Sequence, residues 1–385
     1  MKHISLITIL FTLIPAMLCS CREENIIYTQ ETTPVTDPTE NFSQIEGFYL
    51  LNEGNMGSNK STLDRFDYSS GDYIRNIYSE ANPGVPKELG DVGNDLKIYG
   101  SRLYAVINCS NKIEVMDATT TKRIGQIEIP NCRHIQFHDR YAYITSYAGP
   151  VQIRPDYEQK GYVAKVDTAT LQVVERCIVG FQPDELAILN GKIYVANSGG
   201  YMVPNYENTI SIIDMATFTE EKRVEIDINL QRVRPDRKGR LWISSRGDYY
   251  NNQSRLFCYN PRTDIIEKTF DVPVSQMDIV GDSIYIVSSA WSYETMENTI
   301  TNAIIDINLM EKVSDNFIKD GTEKEIKIPY GVKVNPLTKE IFVTDAGNYV
   351  NPGWLICYSP EGIRKWKVRT GDIPAHFAFF GRKES

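Results

Sequence analysis

Ile193-Tyr194-Val195-Ala196-Asn197 and, eleven residues later, Thr209-Ile210-Ser211-Ile212-Ile213-Asp214 decide how this chain folds. The first run is aliphatic–aromatic–aliphatic. The second alternates and stops on an acidic residue, the pattern of a half-buried strand ending in a turn. Each run recurs. The aromatic type returns around Tyr49, Tyr104, Tyr143, Tyr194, Trp242, Tyr285 and Phe342. The second type ends at Asp67, Asp117, Asp167, Asp214, Asn260, Asp306 and Ser359, with successive ends 46 to 53 residues apart. Two series of seven that interleave without exception are an internal repeat of one supersecondary unit.

That period suits a four-stranded propeller blade of strands A to D running outward from the centre. In the second repeat the order reads Leu96–Ile98 for A, Leu103–Ile107 for B, Ile113–Met116 for C and Arg123–Ile129 for D. No segment keeps a 3.6-residue period over three turns. The first B strand, Phe48–Leu51, lacks an A strand, and Ala375–Phe379 is an A strand with no B after it. Joining them closes a ring and removes exposed sheet edges. The expectation is an all-β, seven-bladed β-propeller over residues 45–381, with the terminal strands sharing one blade. The acids that end the C strands are read as turn residues, because their carboxylates bond nearby backbone amides.

Composition agrees with one large β-rich domain. The 385 residues include 23 Tyr, 14 Phe, 25 Gly and 18 Pro, and 42% are hydrophobic. A net charge of -9 argues against nucleic acid as a partner, whose binding surfaces are basic. After the first 21 residues no apolar run approaches the roughly 20 residues a spanning helix needs.

Residues 1–20 read as a signal peptide: Lys2 and His3 precede an apolar stretch from Ile4 to Leu18. Leu18-Cys19-Ser20-Cys21 resembles a lipobox, with Cys21 as the lipidated residue; an ordinary secretory signal is the alternative. Arg22-Glu23-Glu24 resembles a surface-export signal. Residues 21–44, rich in Thr, Pro, Glu and Asn, read as a flexible tether. Five cysteines follow, spaced like no metal cluster. They are expected to be mostly buried thiols, with Cys109 and Cys132 close enough for one possible bridge.

In such a propeller the B–C and D–A connections share one face. The long segments collect there: B–C loops 52–61, 147–161, 198–208, 246–254, 289–299 and 346–353, and D–A loops 78–91 and 319–329. Long loops on a rigid scaffold are where function sits. Their aromatic, amide and Arg side chains suit a large polar ligand with apolar faces. Tyr157 and Trp354 are expected only to pin loops. Tyr147, Tyr201, Asn205, Tyr206, Arg246, Tyr249, Tyr250 and Trp291 are the expected contacts, with Asn94 and His376 at the channel mouth. His138 reads as solvated and His134 as a structural histidine. Asp91, Asn94 and Asp95 form an oxygen-rich group read as turn caps rather than a calcium site. No metal is expected. Nucleophile-elbow, HExxH, P-loop and CxxC patterns are absent from the sequence.

The strands quoted above and the Val179-Gly180-Phe181-Gln182-Pro183 turn resemble the YncE-like, surface-layer propellers. The lipobox, the acidic signal and Leu51-Asn52-Glu53-Gly54-Asn55 resemble the BtuG-type surface lipoproteins of Bacteroidetes. That resemblance implies an outer-membrane, cell-surface lipoprotein without catalytic activity. It would capture cobalamin or another corrinoid and pass it to a TonB-dependent outer-membrane transporter of the BtuB type. The alternatives are a glycan- or siderophore-binding propeller of another TonB-dependent system, a propeller lyase with His376 or His134 as base, and a scaffold for a partner protein.

Overall fold

Alternating apolar residues pair into seven antiparallel sheets in the computed structural model, which describes residues 29–39, 44–86, 88–293 and 296–381. Six sheets are consecutive meanders of A, B, C and D strands. They begin at Gly93, Cys132, Pro183, Leu230, Gln276 and Pro329 and are numbered here as blades one to six. Blade seven takes its innermost strand from Pro374–Gly381 and the others from Ile45–Asn52, Thr62–Asp67 and Asp72–Arg75. The molecule is the seven-bladed, all-β propeller that the repeat implies. Closure is apolar as well as hydrogen-bonded: Phe48 lies opposite Phe379 in register, their rings 5.9 Å apart.

The core is divided among the blade interfaces. Seven buried clusters occur, each drawing side chains from two adjacent blades. The recurrent B-strand aromatics fill them; Trp242, Tyr49, Tyr104 and Phe342 are among the largest fully buried side chains. Outer strands such as Ile265–Phe270 keep most residues exposed, so their pattern is weaker. The acids at the C-strand ends cap turns as expected. Asp117 accepts the Thr119 and Thr120 amides, and Asp214 those of Ala216 and Thr217.

Two expectations need correction, and the one possible bridge is not formed. Within the supposed tether, Glu31–Pro34 is a fifth, outermost strand on blade seven, pairing antiparallel with Asp72–Arg75. Its Thr-rich composition favours an extended chain, and the edge of the four-residue D strand offers unpaired backbone groups. The loop expected at 289–299 is instead a hairpin: Ser283–Ser292 pairs with Glu297–Asp306 through ten register positions. Cys109 and Cys132 are unbridged. Cys132 is buried with its Sγ near the carbonyls of Ile107 and Lys112, whereas Cys109 is exposed. Cys21 lies outside the described residues.

Candidate functional site

A repeated bend delivers each chain segment to the central channel. Asn131, Gln182 and Asn229 immediately precede A strands and adopt positive φ. Their amide side chains tie this bend to the neighbouring B–C loop: Asn131 Nδ2 donates to Gly149 O, Asn229 Nδ2 to Gly247 O, and Gln182 Oε1 accepts Tyr201 N. A serine at the end of the B strand or one residue past it closes the same junction. Ser198 Oγ donates to Gln182 O and accepts Gly200 N; Ser245 Oγ donates to Ile228 O and accepts Gly247 N. Gly247 is required there, because at φ 66° a Cβ would lie 1.9 Å from Asn252 O. The loop that carries Arg246, Tyr249 and Tyr250 is therefore fixed at its root.

On the arc of blades one to three, charged side chains around the channel pair with one another, although Asp184 Oδ2 and Arg133 Nε make no hydrogen bond to a described residue. Asp184 receives His134 Nε2 at 3.1 Å, Arg246 at 3.1 Å and Arg133 at 3.8 Å. Burial alone would raise its pKa, but Arg246 and Arg133 hold the carboxyl well below the usual range. The other His134 nitrogen, Nδ1, is 3.5 Å from Asp95, which also pairs with Lys97 at 3.0 Å. Burial opposes a charge on His134, yet hydrogen bonds to Asp184 and Asp95 outweigh it and raise its pKa. Asn94 donates to Arg133 O at 2.9 Å. Tyr147 is buried with the Arg133 guanidinium 4.8 Å from its ring centre, and burial pushes its phenol up to about 12.

The arc of blades four to seven is open. A cavity of about 550 Å³ lies where the channel meets the long-loop face. Its inner wall is made by Glu53, Arg232, Gln276, Tyr330 and His376, and its rim by Arg246, Tyr249, Tyr250, Trp291 and Tyr349. Tyr250 stacks on Tyr293 at 5.1 Å and Trp291 meets Tyr293 edge-on at 6.2 Å. Tyr293 N donates to Tyr249 O, joining the two rim loops. At the inner wall Glu53 is shared, with Oε2 accepting Tyr330 OH at 2.8 Å and Oε1 3.0 Å from His376 Nε2. Burial outweighs that contact and lowers the His376 pKa, so the imidazole is neutral at pH 7.

Of the expected contacts, Arg246, Tyr249, Tyr250, Trp291 and His376 come together around the cavity. Asn94, Tyr147, Tyr201, Asn205 and Tyr206 are outside its lining. Tyr201 meets Tyr147 edge-on at 6.3 Å, and Asn205 Nδ2 donates to Pro155 O at 3.3 Å. Tyr206 lies close enough to Tyr249 and Asp248 for their charges to add to burial in raising its pKa. Tyr157 hydrogen-bonds Pro150 O and Trp354 takes Lys367 and Arg369 over its ring, so both hold backbone or strand neighbours. Asp91 caps Gly57 N at 2.9 Å. Sequence reasoning missed Gln231, Arg232, Tyr330 and Ser275–Gln276. The available signal was Leu230-Gln231-Arg232-Val233-Arg234, an A strand too polar for a core strand yet mostly buried.

Solved structures share the architecture at low identity. The Bacteroides thetaiotaomicron quinonprotein alcohol dehydrogenase-like protein is 16% identical with a TM-score of 0.58, covering 88% of this chain and 79% of that one. Kuenenia stuttgartiensis hydrazine synthase is 15% identical with a TM-score of 0.55, covering 70% and 77%. The computationally designed Ika8 protein is 9% identical with a TM-score of 0.53, covering 89% and 93%. These likenesses concern the fold alone. No curated protein matches the sequence. A family profile matches residues 46–370, nearly the whole ring, and the chain therefore belongs to the family described as Domain of unknown function (DUF5074).

Proposed function

We propose that the chain is a surface lipoprotein, anchored through Cys21, that binds a corrinoid such as cobalamin at this cavity without transforming it. It would then release the ligand to a TonB-dependent outer-membrane transporter. The observation that carries the binding role is the cavity itself, whose rim offers aromatic faces and whose wall offers amides, on loops rooted by the repeated serine and amide bonds. Preorganised walls reduce the entropy lost when a ligand docks. A corrin disc has apolar faces and an amide-bearing edge, which match rim and wall respectively. The export-type signal and the opening Leu51–Asn55 motif support the choice of ligand class. Calorimetric titration of the mature chain with cyanocobalamin should give saturable one-to-one binding. No heat at micromolar protein would remove the corrinoid, and oligosaccharides and ferric siderophores would be titrated next.

A second reading has one observation behind it. A lyase needs a base with an acidic partner within hydrogen-bond reach, and His376–Glu53 supplies that pair on the cavity wall. Its mark would be a product released from the ligand and lost in His376→Gln. A ligand recovered chemically unchanged after prolonged incubation would dismiss it.

A further inference from the structure

Arg232 stands apart from the other channel guanidiniums. Arg133 and Arg246 face Asp184, and Arg234 faces Glu185 at 3.1 Å. The channel lysines are matched too, Lys97 by Asp95 and Lys333 by Asp278. Arg232 is nine-tenths buried, yet among the described residues no carboxylate oxygen comes within 4.0 Å of it. Its contacts are Ser275 O, 3.2 Å from Nε, and His134 Nε2, 3.2 Å from Nη1; Nη2 has no hydrogen-bond partner among the described residues. Glu53, the acid on the same wall, has both oxygens engaged by Tyr330 and His376. Gln231 lines the same cavity, and its side-chain amide likewise lacks a partner among the described residues.

A buried guanidinium with no carboxylate in contact is costly, even with Glu185 near enough to feel its charge, and charge-assisted bonds to a phosphate or carboxylate are what its fork geometry suits. We infer that Arg232 is an anion subsite, receiving a phosphate or carboxylate group of the guest, with the Gln231 amide beside it. This inference rests on the cavity being a ligand site but not on the guest being a corrinoid. For a corrinoid, the group would be the phosphodiester of the nucleotide loop.

The test compares cyanocobalamin with dicyanocobinamide, which has the same ring but lacks the phosphodiester, on wild type, Arg232→Gln and Arg232→Lys. Wild type should prefer the phosphodiester-bearing ligand by about tenfold or more. Arg232→Gln should close that gap by weakening cyanocobalamin far more than dicyanocobinamide, and Arg232→Lys should restore part of it. Equal wild-type affinities, or a parallel loss for both ligands in Arg232→Gln, would overturn the assignment. If neither corrinoid binds wild type, the corrinoid reading fails by itself and inorganic phosphate decides the subsite. Phosphate should then raise the melting temperature of wild type above a chloride control of equal ionic strength, and not that of Arg232→Gln. The same response in both proteins would overturn the subsite.

Discussion

The ring places the same strand ends around its channel on both sides, but the two sides are finished differently. On blades one to three the wall is held by ion pairs: Asp184 gathers His134 and Arg133 and reaches Arg246 on the blade-four rim, and Asp95 gathers His134 and Lys97. On blades four to seven the corresponding space holds a cavity, with an unmatched Arg232 and a neutral His376 at its wall. A propeller core lies between blades, so the channel wall can be finished differently on its two sides while the ring stays the same. The closed arc contributes rigidity and the open arc contributes recognition. Substitutions in the two arcs should therefore fail differently.

The largest effect belongs to the closed arc. Asp184→Ala leaves the buried His134 and the partly buried Arg133 and Arg246 without their shared carboxylate, and removing one partner of a buried ion cluster costs about 3–5 kcal/mol. Urea denaturation should show that loss. A midpoint within error of wild type would mean that the closed arc is not structural. Next comes Trp291→Ala on the open rim. A well-placed aromatic contact is worth roughly 2 kcal/mol, about 30-fold in affinity. Cyanocobalamin binding should weaken accordingly, while stability changes by less than about 0.5 kcal/mol, as for a surface position. A variant that loses stability but not affinity would reverse the assignment of the two arcs.

The two buried histidines sharpen the contrast by titrating in opposite senses. His134, held by two acids, has a raised pKa in the folded protein. Its stabilisation is complete below the unfolded value near pH 6.5 and is lost as pH rises through the folded value. His376, where burial dominates, has a lowered pKa. Unfolded chains take up its proton first, so its contribution falls as pH drops below about 6.5. The stability deficit of His134→Gln should be larger at acidic than at alkaline pH. The deficit of His376→Gln should shrink on acidification. Parallel pH profiles for the two variants would refute the opposed environments.

Much of the ring was legible because strand period and repeat length are local properties. The interleaved aromatic and acidic marks locate B strands and C-strand ends, and these depend only on burial at blade interfaces and on turn capping. The fifth strand on blade seven was not legible, since Glu31–Pro34 pairs across the sheet with residues 38 to 44 positions away and carries no apolar alternation. The hairpin at 283–306 was hidden because its tip buries little, so polar residues such as Asn298 and Thr299 mimic a loop. For the site, loop aromatics and Arg246 were visible as exposed functional types. Arg232 and Tyr330 were not, because an A strand's inward positions face a channel rather than a core, and hydrophobicity cannot distinguish these.

The smallest expected effect tests the boundary between the arcs. Tyr147 follows a B strand in the sequence and is an expected contact, yet its ring lies under Arg133 and outside the cavity lining. Its hydroxyl makes no hydrogen bond to another described residue, so Tyr147→Phe keeps the ring and removes no partner. Stability and cyanocobalamin affinity should each change by less than about 0.5 kcal/mol. A tenfold weakening of binding would show that the guest extends past Arg246 on to blades two and three. In that case Tyr201, edge-on to Tyr147, becomes the next position to substitute, and the closed arc is a second contact surface rather than a wall.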